Sequence, residues 1–335
     1  MRSCTDGSAG AVANTRTGSA ANVHAHYDVG NDFFQLFLDE TLAYSCGLFL
    51  RDGIDLRAAQ EAKFQHVCEQ LRLTAGDRVL EIGCGWGGFA IYAARLSGCR
   101  VTGITISREQ VWLASERVAA AGLARQVDIQ YCDYREIADQ FYKIVSIEMF
   151  EAVGQDYWDD FFRACARALR PGGAMLLQTI GIPDAAVRRP RRASGWISKY
   201  IFPGGMLPSL QEIRQSLART AEPLAIVHVE EIGAHYVTTL RAWRSRFWAA
   251  IDQVRALGLD DTFRSDVGLL PGIMCGRLCG ANHPRYADHP RRSPAGGGGQ
   301  RSSDGFDPRG LIVPLGGQFA HRPTAARSPR PGRPS

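Results

Sequence analysis

From Arg78 to Phe89 the chain reads Arg-Val-Leu-Glu-Ile-Gly-Cys-Gly-Trp-Gly-Gly-Phe. Gly83, Gly85 and Gly87 recur at every second position, Cys84 lies between the first two, and Glu81 precedes the first by two residues. Glycine lacks Cβ, so backbone at such a turn can approach a ligand closely or take a positive φ. Pyrophosphates are ordinarily served by Gly-x-Gly-x-x-Gly. The tighter spacing beside an acid suits a cation with a zwitterionic tail. A dinucleotide and a purely structural turn are the other two readings open at this point.

These residues need elements to hold them. Val79, Leu80 and Ile82 form the short apolar run of a buried parallel strand, and helical patterning resumes at Phe89. A strand, a glycine turn and a helix begin a doubly wound sheet, whose ligand lies beyond the strand's carboxyl end. Further strands are expected at 99–104, 127–131, 143–149 and 174–180. Helices are expected at 56–73, capped by Asp55, from Ser107 to Gly122, and at 157–169. Ser107 followed by Gln110 has the form of a capping box. The alternation gives an α/β fold, a mostly parallel sheet with helices on both faces. Beyond 181 the pattern loosens to a helix at 210–219, a strand at 225–230 and a long helix at 238–257.

Composition narrows the classes. The chain has 335 residues, 45% of them hydrophobic, and a net charge of +5. That mild charge does not imply nucleic acid. The nine cysteines form no CxxC pair, which favours reduced thiols in a cytoplasmic setting. His24 and His26 lack partners at ligand spacing, so no metal is expected. No apolar run reaches the roughly 20 residues of a membrane span and no signal peptide is visible, so membrane contact is expected to be peripheral. Residues 1–21 read as a disordered N-terminus. From 265 to 335 Pro, Gly, Arg and Ser dominate, as in a disordered tail or one translated in a shifted frame from about Asp266-Val267.

The glycine turn resembles motif I of class I S-adenosylmethionine (SAM) methyltransferases, with a Rossmann-like sheet. The segments HYDVGNDFF, YSCGLF, EIGCGWGGFA, GITISREQ, SIEMFEAVG, KYIFPGG and GAHYVTTLRAW follow in order. Together they resemble the cyclopropane-fatty-acyl-phospholipid synthase family, related to mycolic acid cyclopropane synthases. The likeness covers about 14–264, and 22–264 is taken as the catalytic domain, with an N-terminal helical and loop cap over the site.

The resemblance implies SAM contacts at Tyr44, Ser45, Glu81, Gly83, Cys84, Gly85, Gly87, Thr105, Ser107, Gln110, Asp133 and Tyr134. It implies transfer of a methyl or methylene group to the cis double bond of unsaturated phospholipid acyl chains, through a carbocation that closes to a cyclopropane. Aromatic faces stabilise cations, and Tyr27, Phe33, Phe34 and Tyr44 stand near the expected pocket. A bound bicarbonate would be the base, held by Cys46, Glu151, Gln178, Ile180 (through its backbone) and Tyr236. Gln178 stands where histidine is common, a departure that bears on ring closure more than on methyl transfer. The alternatives are a C-methyltransferase giving methylene- or methyl-branched chains, and a non-catalytic remnant lacking its terminal helix. The expected setting is the inner face of the membrane, with a homodimer allowed. The cluster from Arg188 to Arg192, beside Trp196, Tyr200 and Phe202, reads as a membrane contact.

Overall fold

The computed structural model describes residues 14–15, 18–19, 30–188, 205–220, 224–258 and 309–317. Tyr27, the basic cluster from Arg189 onward and most of KYIFPGG lie outside them. Five parallel strands form the body of the sheet: β1 (Arg78–Ile82), β2 (Arg100–Thr105), β3 (Val127–Tyr131), β4 (Phe141–Ile147) and β5 (Leu169–Gly181). Their order is β3-β2-β1-β4-β5. The direction of winding reverses between β1 and β4, the crevice where open α/β sheets bind ligands.

The helices that cover the sheet follow the apolar spacing. Helix α1 is Asn31–Phe37, α2 Leu56–Leu71, α3 Gly88–Ser97, α4 Arg108–Ala120 and α5 Trp158–Ala168. Along β1 the side chains alternate. Leu80 and Ile82 join Phe150, Trp158, Phe161 and Phe162 on one face, while Val79 joins Phe64, Val67 and Phe89 on the other. Asp55 caps α2 by accepting from the Ala58 amide at 2.7 Å. The box expected at α4 is only half made. Ser107 accepts from the Gln110 amide at 3.3 Å, but the Gln110 side-chain oxygen faces the Thr105 hydroxyl at 2.6 Å. Thr105 also accepts from the Ser107 amide at 3.2 Å, so it takes the place Gln110 would have had.

Beyond β5 come α6 (Leu210–Ala218), β6 (Leu224–Ile226), β7 (Glu230–Glu231), α7 (Gly233–Ala249) and α8 (Ile251–Ala256). The helix expected at 238–257 thus begins five residues earlier and breaks at Ala250. The early start puts Tyr236 inside its first turn.

One segment departs from the expected tail. Arg309–Gly317 lies in the sheet as β8, antiparallel to both β5 and β6, with β7 paired to its Gly310-side end. The run Gly-Leu-Ile-Val-Pro-Leu is apolar enough for a strand, but it is short and surrounded by Pro, Gly and Arg.

The expected N-terminal cap is built on aromatic packing. Phe34 lies 5.0 Å from Trp86, Tyr44 lies 5.2 Å from Trp243, and Phe33 lies 6.3 Å from Phe247, between ring centroids. The Trp86 indole N–H donates to Asn31 Oδ1 at 2.7 Å, tying α1 to the glycine turn.

Candidate active site

The carboxyl ends of β1, β2 and β4 and the segment after β3 wall one cavity. Its lining includes Tyr44, Ser45, Glu81, Gly83, Cys84, Gly85, Thr105, Gln110, Asp133, Tyr134 and Glu151. These are residues that lie far apart in sequence and meet because parallel strands all end on the same side. Gly83 has φ +79°, and a Cβ there would meet the Met149 side chain at 2.5 Å. The turn is therefore restricted to glycine by backbone angle and by space.

Two of the expected cofactor contacts stand back from the cavity wall. Ser107 is engaged in capping α4. Gly87 is the N-cap of α3, at φ +77° and close against Ala114. Asp133 and Tyr134 do reach the wall, but Asp133 is held by Arg135, whose Nη2 and Nε donate to it at 2.6 and 2.8 Å. The ring of Tyr134 packs edge-on against Phe161.

Glu81 is 4% exposed, and its Oε2 has no hydrogen-bond partner. Burial pushes its carboxyl up to about 8, with Lys63 and the Ala90 amide pulling the other way. Lys63 is buried beside it and donates to Ser45 Oγ and Gln60 Oε1, both at 2.6 Å. Burial lowers its ammonium to about 8, against the carboxylates of Glu148 and Glu81. Lys63 was missed in the sequence. It lies four residues after Ala59 and four before Val67, on the buried side of α2, and a lysine on an apolar stripe was the available signal.

The five residues expected to hold an anion do come together: Cys46, Gln178, Tyr236 and Ile180 converge on two carboxylates, Glu148 and the fifth of them, Glu151. Glu148 follows β4 directly and lines the cavity. Its Oε1 accepts from the Cys46 amide at 3.0 Å and from Gln178 Nε2 at 2.9 Å, and its Oε2 from the Tyr236 hydroxyl. Glu151 Oε1 accepts from the Ile180 amide and, at 3.0 Å, from the Thr179 hydroxyl, while its Oε2 is buried and unpartnered. Cys46 and Tyr236 are buried among Ile232, Thr239 and Glu148. Burial, then the Glu148 charge, pushes both the thiol and the phenol well up. Glu148 itself was missed: in Ser-Ile-Glu-Met-Phe-Glu it reads as one more polar residue at a strand end.

The carboxyl of Glu151 is pushed up to about 8, first by burial and then by the Glu148 charge. Glu148 is also raised by burial, against the bonds from Tyr236, Cys46 and Gln178. With three donors to two, Glu148 is the member that keeps the negative charge and Glu151 the one that keeps a proton.

Stability should follow these protons. Glu81 and Glu151 have folded values near 8 against an ordinary 4.5, so the folded state binds more protons between those limits. Stability is then lost as pH rises. His235, whose value is depressed, acts below 6.5. Lys63, lowered to about 8, opposes the carboxyls only near the top of the window from 6.5 to 8, where the two carboxyls outweigh the one ammonium. Each contributes a slope of up to about 1.4 kcal/mol per pH unit. Denaturant unfolding of the apoprotein should show stability falling from pH 6.5 to 8, and less steeply in Glu151→Gln. An equal slope in that variant would mean that Glu151 is already ionised at neutral pH.

Comparison with known proteins agrees with this geometry. The family model of mycolic acid cyclopropane synthetase matches residues 14–266. The cyclopropane-fatty-acyl-phospholipid synthase of Escherichia coli K12 is 45% identical over 230 residues, which are 68% of this chain and 57% of that protein. Tuberculostearic acid methyltransferase UfaA1 of Mycobacterium tuberculosis is 40% identical over 257 residues, 75% of this chain and 60% of that protein. The chain thus spans about 60% of the length of these relatives. The crystal structure of mycolic acid cyclopropane synthase CmaA1 with SAH and CTAB superposes with TM-score 0.75 at 27% identity, covering 89% of this chain and 98% of that one. The fold is the Rossmann-like α/β fold of class I SAM methyltransferases, and the chain belongs to the mycolic acid cyclopropane synthetase family.

Proposed function

We propose that the protein binds SAM at the glycine turn and modifies the cis double bond of unsaturated phospholipid acyl chains, forming a cyclopropane fatty acid. One observation carries the reading: the glycine turn with Glu81 and the carboxylates Glu148 and Glu151 face a single cavity. The donor set suits SAM, because Gly83 admits close backbone approach and the orphaned Glu81 Oε2 suits an ammonium group. When bound, SAM supplies an electrophilic methyl group. Tyr44, Ser45, Thr105, Gln110, Asp133 and Tyr134 line the rest of its place, and the aromatic cap helps to keep water from it.

The chemistry sets the demands on the chain. An isolated alkene is a weak nucleophile, so the two partners must be held close and dry. Its π pair bonds to the methyl carbon, the sulfur keeps the S–C pair, and the neighbouring chain carbon becomes cationic. A base must then take a proton from the new methyl group. If the released C–H pair reaches the cationic carbon to close a ring, the product is a cyclopropane. If a hydride first shifts from the methyl-bearing carbon to the cationic one, the pair forms a double bond to the methyl-bearing carbon and the product is a methylene branch. A saturated methyl branch needs an added hydride donor.

No described helix is long and apolar enough to cross a membrane, and the reading places the enzyme at the cytoplasmic membrane surface, with 22–264 as its working unit and a homodimer as a compatible assembly. Protein incubated with SAM and liposomes of unsaturated phospholipid should yield fatty acids heavier by one CH₂, and NMR separates ring from methylene. SAM binding with no mass change would instead identify a non-catalytic remnant.

A further inference from the structure

We propose that Glu148 is this chain's own base, standing in the place where the resemblance puts a bound bicarbonate. The inference rests on the function proposed above and assigns its proton acceptor. Four of the five groups expected to hold the external anion already donate to carboxylates of the chain itself, and the fifth, Glu151, is one of those carboxylates. The Cys46 amide, Gln178 Nε2 and the Tyr236 hydroxyl all donate to Glu148, and the Ile180 amide donates to Glu151. A bicarbonate arriving here would find these donors taken and two carboxyl groups of its own acceptor character facing it. Bicarbonate does not fit the site as built.

Glu148 does fit the task. The residue lines the cavity, and its carboxylate offers about four acceptor positions, of which three are filled. Glutamine at 178 fits as well. Its Nε2 donates to the carboxylate without adding a positive charge beside the one base of the site. The backbone is a second, independent sign. Glu148 has φ +50°, one of three described non-glycine residues at positive φ. Strain of this kind persists where the surroundings enforce it, often at functional sites. In the step itself the carboxylate takes a proton from the new methyl carbon, and the C–H electron pair closes the ring onto the cationic carbon or, after a hydride has shifted from the methyl-bearing carbon to that cation, forms the methylene double bond. The proton then resides on Glu148 until solvent removes it after product leaves.

The test uses Glu148→Gly, which removes the carboxylate and suits a positive φ, so folding is not at risk from the backbone. Binding of ¹³C-bicarbonate is followed by NMR line broadening in both proteins, and turnover is followed in carbon-dioxide-free buffer with and without added bicarbonate. The wild type should bind no bicarbonate and turn over equally well without it. The variant should bind SAM as the wild type does, lose about 100-fold or more in rate, and gain bicarbonate binding along with part of the lost rate. Bicarbonate bound by the wild type, or a variant that keeps its rate in carbon-dioxide-free buffer, overturns the proposal. If the wild type turns over no lipid, the function fails, while the binding arm still decides who occupies the anion place.

Discussion

Gly83→Ala should cost the protein its cofactor and leave most of its fold. A methyl group at residue 83 would stand 2.5 Å from Met149 Cγ and 2.6 Å from Met149 Cβ, at a backbone φ of +79°. An L-residue in that region costs about 1–2 kcal/mol. Relief requires Met149 to move, and Met149 adjoins Glu148 and itself lines the cavity. The amides of Gly83 and Cys84 both donate to Ile104 O, at 2.9 and 3.0 Å, so the turn cannot shift without releasing β2. SAM affinity measured by calorimetry should fall by a factor on the order of 100, about 2.7 kcal/mol. Gly122→Ala is the control. It has φ +72° but nothing within 4 Å of the added methyl, and it ends α4 away from the cavity. It should lose a similar increment of stability and no SAM affinity. If both variants bind SAM alike, the glycine turn has no part in the cofactor site.

The parallel core of the sheet was legible because its signals are local. Each strand is a short apolar run, each ends in a turn residue, and all share one direction, so the end carrying the ligand follows from topology. The third strand falls at the residues expected, 127–131. The C-terminal half was less so. Tyr236 reads as a strand-end aromatic, yet Gly233 opens a helix whose first turn delivers its hydroxyl to Glu148. That placement is set by long-range packing of Leu240, Trp243 and Phe247 against the cap, which no window around Tyr236 contains. β8 was passed over for a related reason, since nine residues in a Pro- and Gly-rich stretch become a strand only when β5 and β6 offer an edge on each side.

The site was legible as a set of residues and illegible as a charge balance. Cys46, Glu151, Gln178, Ile180 and Tyr236 were each expected to face an anion. Nothing in their spacing shows that the anion belongs to the chain. Glu148 and Glu151 differ by three positions and look alike in sequence. One is held by an amide, a side-chain NH₂ and a phenol, while the other keeps one oxygen unpartnered. Two neighbouring carboxyls with unequal donors divide their protons, and that division separates the roles of base and spectator. Only the fold brings together the β4 end, the β5 end and the first turn of α7 that create it.

Tyr236→Phe should move the acidic limb of the pH–rate profile and leave SAM affinity unchanged. The hydroxyl donates to Glu148 Oε2 and helps hold its carboxylate in the charged form, opposing burial. The other titratable groups around Glu148 are Lys63, which favours its charge, and Glu151 and Cys46, which do not. Without the phenol the balance tips toward the protonated acid, which cannot accept a proton. Loss of that bond raises the Glu148 carboxyl further, and the acidic limb should shift upward with it. At pH 7 the rate should fall about 10-fold to 100-fold, with part of the loss recovered at higher pH. The ring remains to fill its place, so the melting temperature should change little beyond the loss of one buried hydrogen bond, about 1 kcal/mol. Tyr236 acts through Glu148, as a positioning residue. A rate loss that is uniform across pH would show that the phenol serves packing alone, and an unchanged profile would detach it from the base.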